Sequence, residues 1–207
     1  MQFFSPDSKF AKVMTSVGEM MLLNLSWVLA SLPLVTIGAA NTAMYTVMGR
    51  RLRGEGSGTI APFFKAYWQN LKMGTLFWVA QVFVTVSLGM ILVLPMPGFF
   101  KVIAVVLLIL VTTVLSLIYP QIARFRNRWF PYLRNAIILT VLKFRYVFLN
   151  LLLVLSPLLL LLAAPVLFFQ WSILWVFVGV SAIFYLSAKL MVKILQPLEE
   201  MADKRRK

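Results

Sequence analysis

The sequence has no cysteine and no histidine, and its six acidic residues are outnumbered by twenty lysines and arginines. Without cysteine the chain forms neither a disulfide nor a thiolate metal site, and without histidine it lacks the commonest metal ligand and the usual proton shuttle. The acids are scattered, so no pair of catalytic carboxylates is expected. An enzyme built on this chain would have to rely on Glu19, Tyr119 or a lysine acting nearly alone. We therefore expect a protein that is not an enzyme, with no catalytic residue, no metal ion and no cofactor.

Apolar residues are what the sequence has in excess. Of its 207 residues, 61% are hydrophobic and only 13% are charged, and the mean hydropathy is +0.91. These values exclude an ordinary water-soluble domain and predict an all-α, polytopic helical bundle that forms one integral membrane domain over residues 1–207. Five stretches of full length and one short stretch are predicted to span the membrane: residues 10–33, 39–53, 73–95, 99–123, 146–166 and 170–195.

The short stretch at 39–53 leaves the number of spans open. If it stays on the surface, the chain has five spans and an external N-terminus; if it returns through the membrane, the chain has six spans and both ends are cytoplasmic. A helix of this length reaches only about 22 Å, against a bilayer core of about 30 Å. Pro33 and Gly38 nevertheless bracket a natural turn, and the arginines at its end could snorkel to the interface. We favour six spans.

Basic residues are concentrated in three segments. Residues 39–72 hold five bases and one acid, residues 121–146 hold six bases, and residues 189–207 hold six bases and three acids. The connection at 95–101 holds only Lys101, and the one at 163–172 holds no charge. Because Lys and Arg collect in cytoplasmic segments, we predict that the three basic segments and the C-terminus face the cytoplasm. The excess charge is thus a topology signal, and we expect no nucleic-acid partner.

Two cytoplasmic amphipathic helices are predicted, at residues 60–72 and 131–143. In the first, aromatic residues share one face and basic residues lie on the other. Two roles fit this helix: anchoring at the lipid headgroups, where Trp and Tyr collect, or docking of a partner protein. The candidate contact residues are Phe63, Phe64, Lys65, Tyr67, Trp68 and Lys72.

The segment before the second amphipathic helix interleaves arginines with aromatic residues. Attraction to anionic lipid of the cytoplasmic leaflet, worth about 1 kcal/mol per base, accounts for such a segment between two spans. A phosphate group or an acidic partner surface is the alternative, because arginine clusters suit bidentate acceptors. The candidate contact residues here are Arg124, Arg126, Arg128, Trp129 and Arg134.

Few polar residues interrupt the apolar stretches. They are Glu19, Asn24, Asn41, Gln81, Ser87, Thr112, Thr113, Ser116, Ser156 and Ser187. Glu19 is the ionisable one, and we interpret it as half of a structural ion pair with a base of the cluster at 50–53. Pro157 should kink its helix unless a neighbouring group compensates for the lost backbone hydrogen bond. Pro197 is predicted to end the last helix, ahead of a polar tail at 197–207.

Motifs in the first third of the chain resemble one protein family. The central motif runs from Ser31 to Tyr45 and is flanked by Asn24-Leu25-x-Trp27 and by Phe63-Phe64-Lys65 with Asn70-x-Lys72. Over about residues 5–75 the chain resembles the YesL family, bacterial membrane proteins that carry domain of unknown function 624. The motif residues are Pro33, Thr36, Gly38, Thr42, Ala43 and Tyr45.

The resemblance implies a multi-pass protein of a bacterial cell membrane, in a family often encoded beside carbohydrate ABC importers. It therefore implies an accessory subunit whose partners are permease or ATPase subunits of such an importer. The alternative is an autonomous transporter or a lipid-binding protein for an anionic solute or headgroup. No catalytic residue is carried over from the family. Physically, the small residues Gly38, Ala39, Ala40 and Ala43 allow close helix approach.

Overall fold

The computed structural model describes residues 8–55 and 58–204, so the ends of the chain at 1–7 and 205–207 lie outside it. The described residues form helices and no strand, which confirms the all-α class. The α-helices are α1 (Lys9–Ser31), α2 (Ile37–Leu52), α3 (Ile60–Val93), α4 (Gly98–Ser116), α5 (Ile118–Arg124), α6 (Trp129–Leu142), α7 (Phe144–Ala163), α8 (Pro165–Gln170), α9 (Ser172–Leu174) and α10 (Val180–Lys204). A 3₁₀-helix at Leu34–Thr36 precedes α2, and a π-helix at Trp175–Gly179 precedes α10.

Five helical stretches are long and apolar enough to cross a membrane, which confirms the prediction of a multi-pass helical bundle. They are Val13–Ser31, Ile60–Val93, Gly98–Arg124, Phe144–Ala163 and Phe177–Met201. The short stretch predicted at 39–53 is also a helix, since α2 covers most of it with 16 residues. A crossing of the membrane by α2 stays a prediction.

α1 and α2 form an antiparallel hairpin. Near the link between them, the indole Nε1 of Trp27 donates a hydrogen bond to Oδ1 of Asn41 at 2.9 Å. Farther from the link, Arg51 of α2 pairs with Glu19 of α1. The predicted ion pair between Glu19 and the cluster at 50–53 is thereby confirmed. The two contacts also fix the direction of α2, which brings Arg51 back to the level of Glu19.

α2 lies at the centre of the bundle and packs against α1, α3, α5 and α10. Nine of its residues are buried, most of them small or of moderate size: Gly38, Ala39, Ala40, Thr42, Ala43, Met44, Tyr45, Val47 and Met48. Its neighbours therefore cover it on several sides. This cover explains how a helix with so few large apolar side chains can lie inside a membrane protein.

α2 and α3 approach each other backbone to backbone at two glycines. A Cβ atom built on Gly74 would lie 2.6 Å from Cα and 2.7 Å from N of Ala39, and one built on Gly38 would overlap the carbonyl oxygen of Gly74. Because the residues at the crossing are small, the two helix backbones can come this close. The close approach gives the helices van der Waals contact within the membrane. The predicted close approach at Gly38 is thus confirmed, and Gly74 is its partner on α3.

Proline interrupts one span and is accommodated in another. Pro120 has no N–H for the carbonyl of Ser116, and the chain breaks at Leu117 between α4 and α5. Pro157 leaves the carbonyl of Leu153 without its helical partner. There the hydroxyl of Ser156 donates to that carbonyl at 2.7 Å, and α7 continues. The hydroxyl of Ser156 therefore compensates for the lost backbone hydrogen bond, which is the exception stated with the prediction of a kink.

The prediction that Pro197 ends the last helix is wrong, because α10 continues through it to Lys204. Two contacts beyond the proline hold the chain in place. Leu198 packs against the core, and Glu199 accepts a hydrogen bond from Nε of Arg124 at 2.7 Å. These contacts offset the loss of one backbone hydrogen bond.

The span predicted at 170–195 is not one regular helix, because α9 and the π-helix precede α10. Asn24 of α1 supports this irregular stretch. Its Oδ1 accepts from the backbone N–H of Ser181 at 2.8 Å, and its Nδ2 donates to the carbonyl of Trp175 at 3.4 Å. A π-turn changes the backbone hydrogen-bond register, and the buried amide of Asn24 bonds to the backbone on both sides of it.

The two predicted amphipathic segments differ from expectation in extent. Residues 60–72 are not a separate interfacial helix, because they form the first turns of α3, which has 34 residues and a length of about 51 Å. Tertiary packing explains the continuity, since this part of α3 lies against α2. The second segment is a separate helix, as predicted, but α6 begins at Trp129 rather than at 131.

Ionic contacts gather the basic segments at one end of the bundle, here called the basic end. Besides the pair formed by Arg51, Nε of Arg53 lies 2.5 Å from Oε1 of Glu55. Arg124 at the end of α5 pairs with Glu199 near the end of α10. A small pocket brings Arg53, Arg124 and Glu199 together. The three segments predicted to share one side of the membrane therefore meet in space.

Candidate functional site

Two cavities stand out, one between the helices of the bundle and one at the basic end. The first, here called the central cavity, has a volume of about 240 Å³. It is bounded by α2, α3, α4, α5, α7 and α10. Six of its lining residues are polar: Asn41, Tyr45, Gln81, Thr112, Ser116 and Tyr119. The other five are Trp78, Val154, Val180, Ile183 and Phe184.

The polar residues of the central cavity are held by hydrogen bonds between helices. The hydroxyl of Tyr119 donates to Oε1 of Gln81 at 2.6 Å, while Oδ1 of Asn41 accepts from Trp27. Both side-chain amides thus use their oxygen as the acceptor. Within the described residues neither amide nitrogen makes a further hydrogen bond. The site therefore contains two amide groups with donors to spare.

A buried chain of hydrogen bonds joins Tyr45 of this cavity to α7 and α10. The hydroxyl of Tyr45 lies 2.7 Å from Oγ of Ser187, and that Oγ donates to Oδ1 of Asn150 at 2.5 Å. Nδ2 of Asn150 is buried and has no partner among the described residues. Lipid tails offer no hydrogen-bond partner, so these polar groups bond to one another. Their hydrogen bonds fix α2, α7 and α10 relative to one another.

The second cavity, here called the basic cleft, has a volume of about 530 Å³. It lies at the basic end between α2, α3 and the loop after α5. Tyr132 shapes that loop, since its hydroxyl donates to the carbonyl of Phe125 at 2.7 Å and accepts from the N–H of Asn127 at 2.9 Å. Burial raises the pKa of Tyr132 above its ordinary value. The lining residues are Thr46, Gln69, Asn70, Met73, Ile122, Ala123, Arg124, Phe125, Arg126, Asn127 and Tyr132.

The contact residues predicted on α3 divide into a buried and an exposed group. Phe63 is fully buried and Tyr67 nearly so, and Phe64 packs against the core. These aromatics hold α3 in the bundle, so they do not offer a surface to a partner. Lys65 and Lys72 are exposed, and 67% of Trp68 is accessible. The exposed surface of this segment is therefore narrower than its sequence pattern indicated.

The contact residues predicted after α5 are all exposed: Arg124, Arg126, Arg128, Trp129 and Arg134. Two of these arginines line the basic cleft, namely Arg124 and Arg126. Arg124 is already engaged by Glu199, so it contributes less positive charge to the cleft than the sequence suggested. The structure thus brings part of this segment to the basic cleft, but not Lys65, Trp68 or Lys72 of α3.

The motif of the family resemblance builds the turn into α2. Pro33 stands directly before the 3₁₀-helix, and the hydroxyl of Thr36 contacts the carbonyl of Ala30 at 2.9 Å and that of Pro33 at 2.7 Å. These contacts join the end of α1 to the start of α2. The motif residues Pro33 and Thr36 are therefore structural in this chain.

The remaining motif residues lie on α2 and are buried. Gly38 meets α3, the hydroxyl of Thr42 donates to the carbonyl of Gly38 at 2.9 Å, and Ala43 has no exposed surface. Tyr45 is the motif residue that lines the central cavity. Sequence reasoning missed Gly74 and Asn150, because their partners lie far away along the chain.

The fold and its exposed apolar helices define a multi-pass helical membrane protein. The family model described as "Protein of unknown function, DUF624" matches residues 20–96, from α1 through α3. This match includes the turn motif and α2, and it is consistent with the resemblance to the YesL family over about residues 5–75. No curated protein and no solved structure matches the chain.

Proposed function

We propose that this chain is a non-enzymatic accessory protein of the bacterial cell membrane that binds a subunit of a carbohydrate ABC importer, with its basic end in the cytoplasm. The excess of Lys and Arg at that end supports the orientation. The start of α1 and the end of α10 lie at the basic end, so both are cytoplasmic in this orientation, and the α1–α2 hairpin enters and leaves the membrane from the same side. The link to an importer is supported by the family resemblance.

The proposal of a protein partner rests on the exposed face of α3 that contains Lys65, Trp68 and Lys72. These residues follow one another at helical spacing, three and four positions apart. The opposite face of the same turns is fixed in the core by Phe63. A large, exposed and rigidly mounted tryptophan between two bases has the properties of an interaction hot spot. Its partner would present an apolar pocket bordered by acidic residues.

Photo-crosslinking tests this assignment. A photoreactive phenylalanine analogue replaces Trp68 in the full-length chain, expressed in its own membrane, and crosslinked products are identified by mass spectrometry. We expect a permease or ATPase subunit of a carbohydrate importer. Phe83 is the matched control, because it lies on the same helix and is 72% exposed, in the part of α3 that continues away from the basic end. Equal products from both positions, or no importer subunit from Trp68, would contradict the proposal.

A second candidate function is binding of an anionic lipid headgroup at the basic cleft. The observation that favours it is the position of Arg126 in the cleft, with the exposed rings of Trp129 and Phe130 close behind along the chain. Arginine binds phosphate through paired hydrogen bonds, and aromatic rings suit the depth of the headgroups. In this role the protein would hold one lipid at a defined place in the cytoplasmic leaflet.

Lipid retention separates this candidate from general attraction to charge. The chain is purified from membranes that contain phosphatidylglycerol, and bound lipid is counted by native mass spectrometry. Replacement of Arg124, Arg126 and Arg128 by Ala should lower the bound phosphatidylglycerol several-fold, whereas Lys101→Ala, on the opposite side of the bundle, should not. Unchanged retention in the triple variant excludes the cleft as a lipid site.

A further inference from the structure

Three interruptions of regular helix surround the central cavity. The 3₁₀-helix Leu34–Thr36 lies just before Asn41 on the chain, and the carbonyl of Leu34 accepts from the indole of Trp78 at 2.8 Å. The break at Leu117 separates the lining residues Ser116 and Tyr119. The π-helix Trp175–Gly179 ends one residue before the lining residue Val180. Discontinuous helices and π-turns are common at ligand sites of membrane and soluble proteins.

The lining combines hydrogen-bonding groups with aromatic faces and contains no charge. The polar groups are two carboxamides and four hydroxyls, and the aromatic residues include Trp78 and Phe184. None of the described residues that line the cavity is Asp, Glu, Lys or Arg. A charged ligand would lose its hydration without gaining a counter-charge, which is costly at this depth. The lining is therefore suited to an uncharged molecule.

The central cavity is also too large to be a packing defect, and its mainly apolar wall carries hydrogen-bonding groups at a few points. Its volume of about 240 Å³ is several times the ~30 Å³ that one water occupies in the liquid. Polar side chains at membrane depth are costly unless they have partners. Asn41, Gln81 and Tyr119 each have one hydrogen-bond partner, and from three helices they line the same space. The amide nitrogens of Asn41 and Gln81, which make no hydrogen bond within the described residues, are available to a molecule in this space.

We propose that the central cavity is a binding site for a small, uncharged solute that carries several hydroxyl groups. The amide nitrogens of Asn41 and Gln81 donate to hydroxyl oxygens of the solute, and the hydroxyl of Thr112 donates or accepts. The hydroxyl of Ser116 accepts, because it already donates to the carbonyl of Thr113 at 2.8 Å. The rings of Trp78 and Phe184 pack against the carbon skeleton. This site is distinct from the exposed face of α3 and from the basic cleft, and it does not depend on the accessory role proposed above.

The absence of cysteine from the sequence makes a labelling experiment clean. Ser116→Cys places one thiol in the cavity with almost no change in size, and Leu107→Cys places one on the exposed side of the same helix. Membrane vesicles with the full-length variants are treated with methyl methanethiosulfonate, a small neutral reagent, and the rates are followed by intact mass. Sorbitol is the probe ligand. Gluconate, a carboxylate of the same carbon count, is its charged counterpart.

We expect the thiol at position 116 to react at least ten times faster than the one at 107, and sorbitol to slow it several-fold while gluconate does not. Gln81→Leu should abolish protection by sorbitol, because it removes an amide donor that the solute uses. Since it also removes the acceptor of the Tyr119 hydroxyl, protection is compared with the rate of the same variant without sorbitol. Equal rates at 116 and 107 would overturn the cavity as a solute site. Protection by gluconate, or by neither compound, would overturn the assignment to uncharged polyols. If Ser116→Cys does not fold, Thr112→Cys serves one helical turn away, with the same criteria.

Discussion

The crossing of α2 and α3 gives the sharpest prediction, which is that Gly74→Ala destabilises the bundle. The added methyl group would lie 2.6 Å from Cα of Ala39, 2.7 Å from its N and 2.8 Å from C of Gly38. All three atoms belong to the backbone of α2, so no side chain can turn aside to make room. The two helices must move apart by about 1 Å to reach ordinary contact distances, and α2 then loses its fit to α5 and α10.

Overpacking of a tight core costs about 1–3 kcal/mol. We expect a value near 2 kcal/mol, which is about a thirty-fold change in the unfolding equilibrium because 1.4 kcal/mol is tenfold. Gly89→Ala is the matched control on the same helix, since a Cβ there would meet nothing within 4 Å. It should leave stability unchanged or raise it slightly, because alanine favours a helix more than glycine does.

The stability of both variants is measured by unfolding them in mixed micelles with a rising fraction of sodium dodecyl sulfate. Circular dichroism follows helix loss, and tryptophan fluorescence follows the environment of the six tryptophans, which include Trp78 on α3. Gly74→Ala should unfold at a clearly lower detergent fraction than the parent chain. If Gly74→Ala and Gly89→Ala unfold together with the parent, the backbone contact between α2 and α3 does not contribute as the structure indicates.

Three other predictions concern hydrogen bonds, titration and orientation. Ser187→Ala removes the hydroxyl between two buried partners and should cost about 1 kcal/mol in the same unfolding assay. The hydrogen bond from Arg53 lowers the pKa of Glu55. Titration followed by carbon-13 NMR should therefore give a pKa of Glu55 below its ordinary value of 4.5, and Arg53→Gln should raise that pKa. The stability that the contact between Arg53 and Glu55 adds is present at pH values above the ordinary pKa. It is lost as the pH falls through the lowered pKa of Glu55. In intact cells, an impermeant maleimide should label Lys101→Cys but not Asn127→Cys; the reverse pattern would place the basic end outside.

Much of the fold could be predicted because hydropathy is a one-dimensional signal. A span needs a long apolar run, whatever its neighbours are, so five of the six stretches follow from counting. The ion pair of Glu19 with the cluster at 50–53 could also be predicted, since a hairpin of known turn position brings those levels together. Only the choice of Arg51 within that cluster required coordinates.

Other features depend on tertiary packing and have no local signal in the sequence. The apolar stripe containing Phe63 and Trp68 has helical periodicity, but periodicity does not show which member faces protein and which faces lipid, because both surroundings are apolar. Asn41, Gln81 and Ser116 are visible in the sequence as isolated polar residues. Their convergence on one cavity depends on the register of three helices, which the sequence does not encode locally.

The central position of α2 has a consequence for synthesis of the protein. α2 is too short and too weakly apolar to be released into lipid alone, and its partner α10 lies more than a hundred residues farther along the chain. At about 5–20 residues per second, a ribosome needs on the order of ten seconds to reach the end of α10 after α2 emerges. During that interval α2 must remain at the surface, in the insertion machinery, or against α1, α3 and α5 alone. A chain cut short before α10 would therefore display an incompletely covered helix, a feature by which membrane proteases could distinguish unfinished molecules from complete ones.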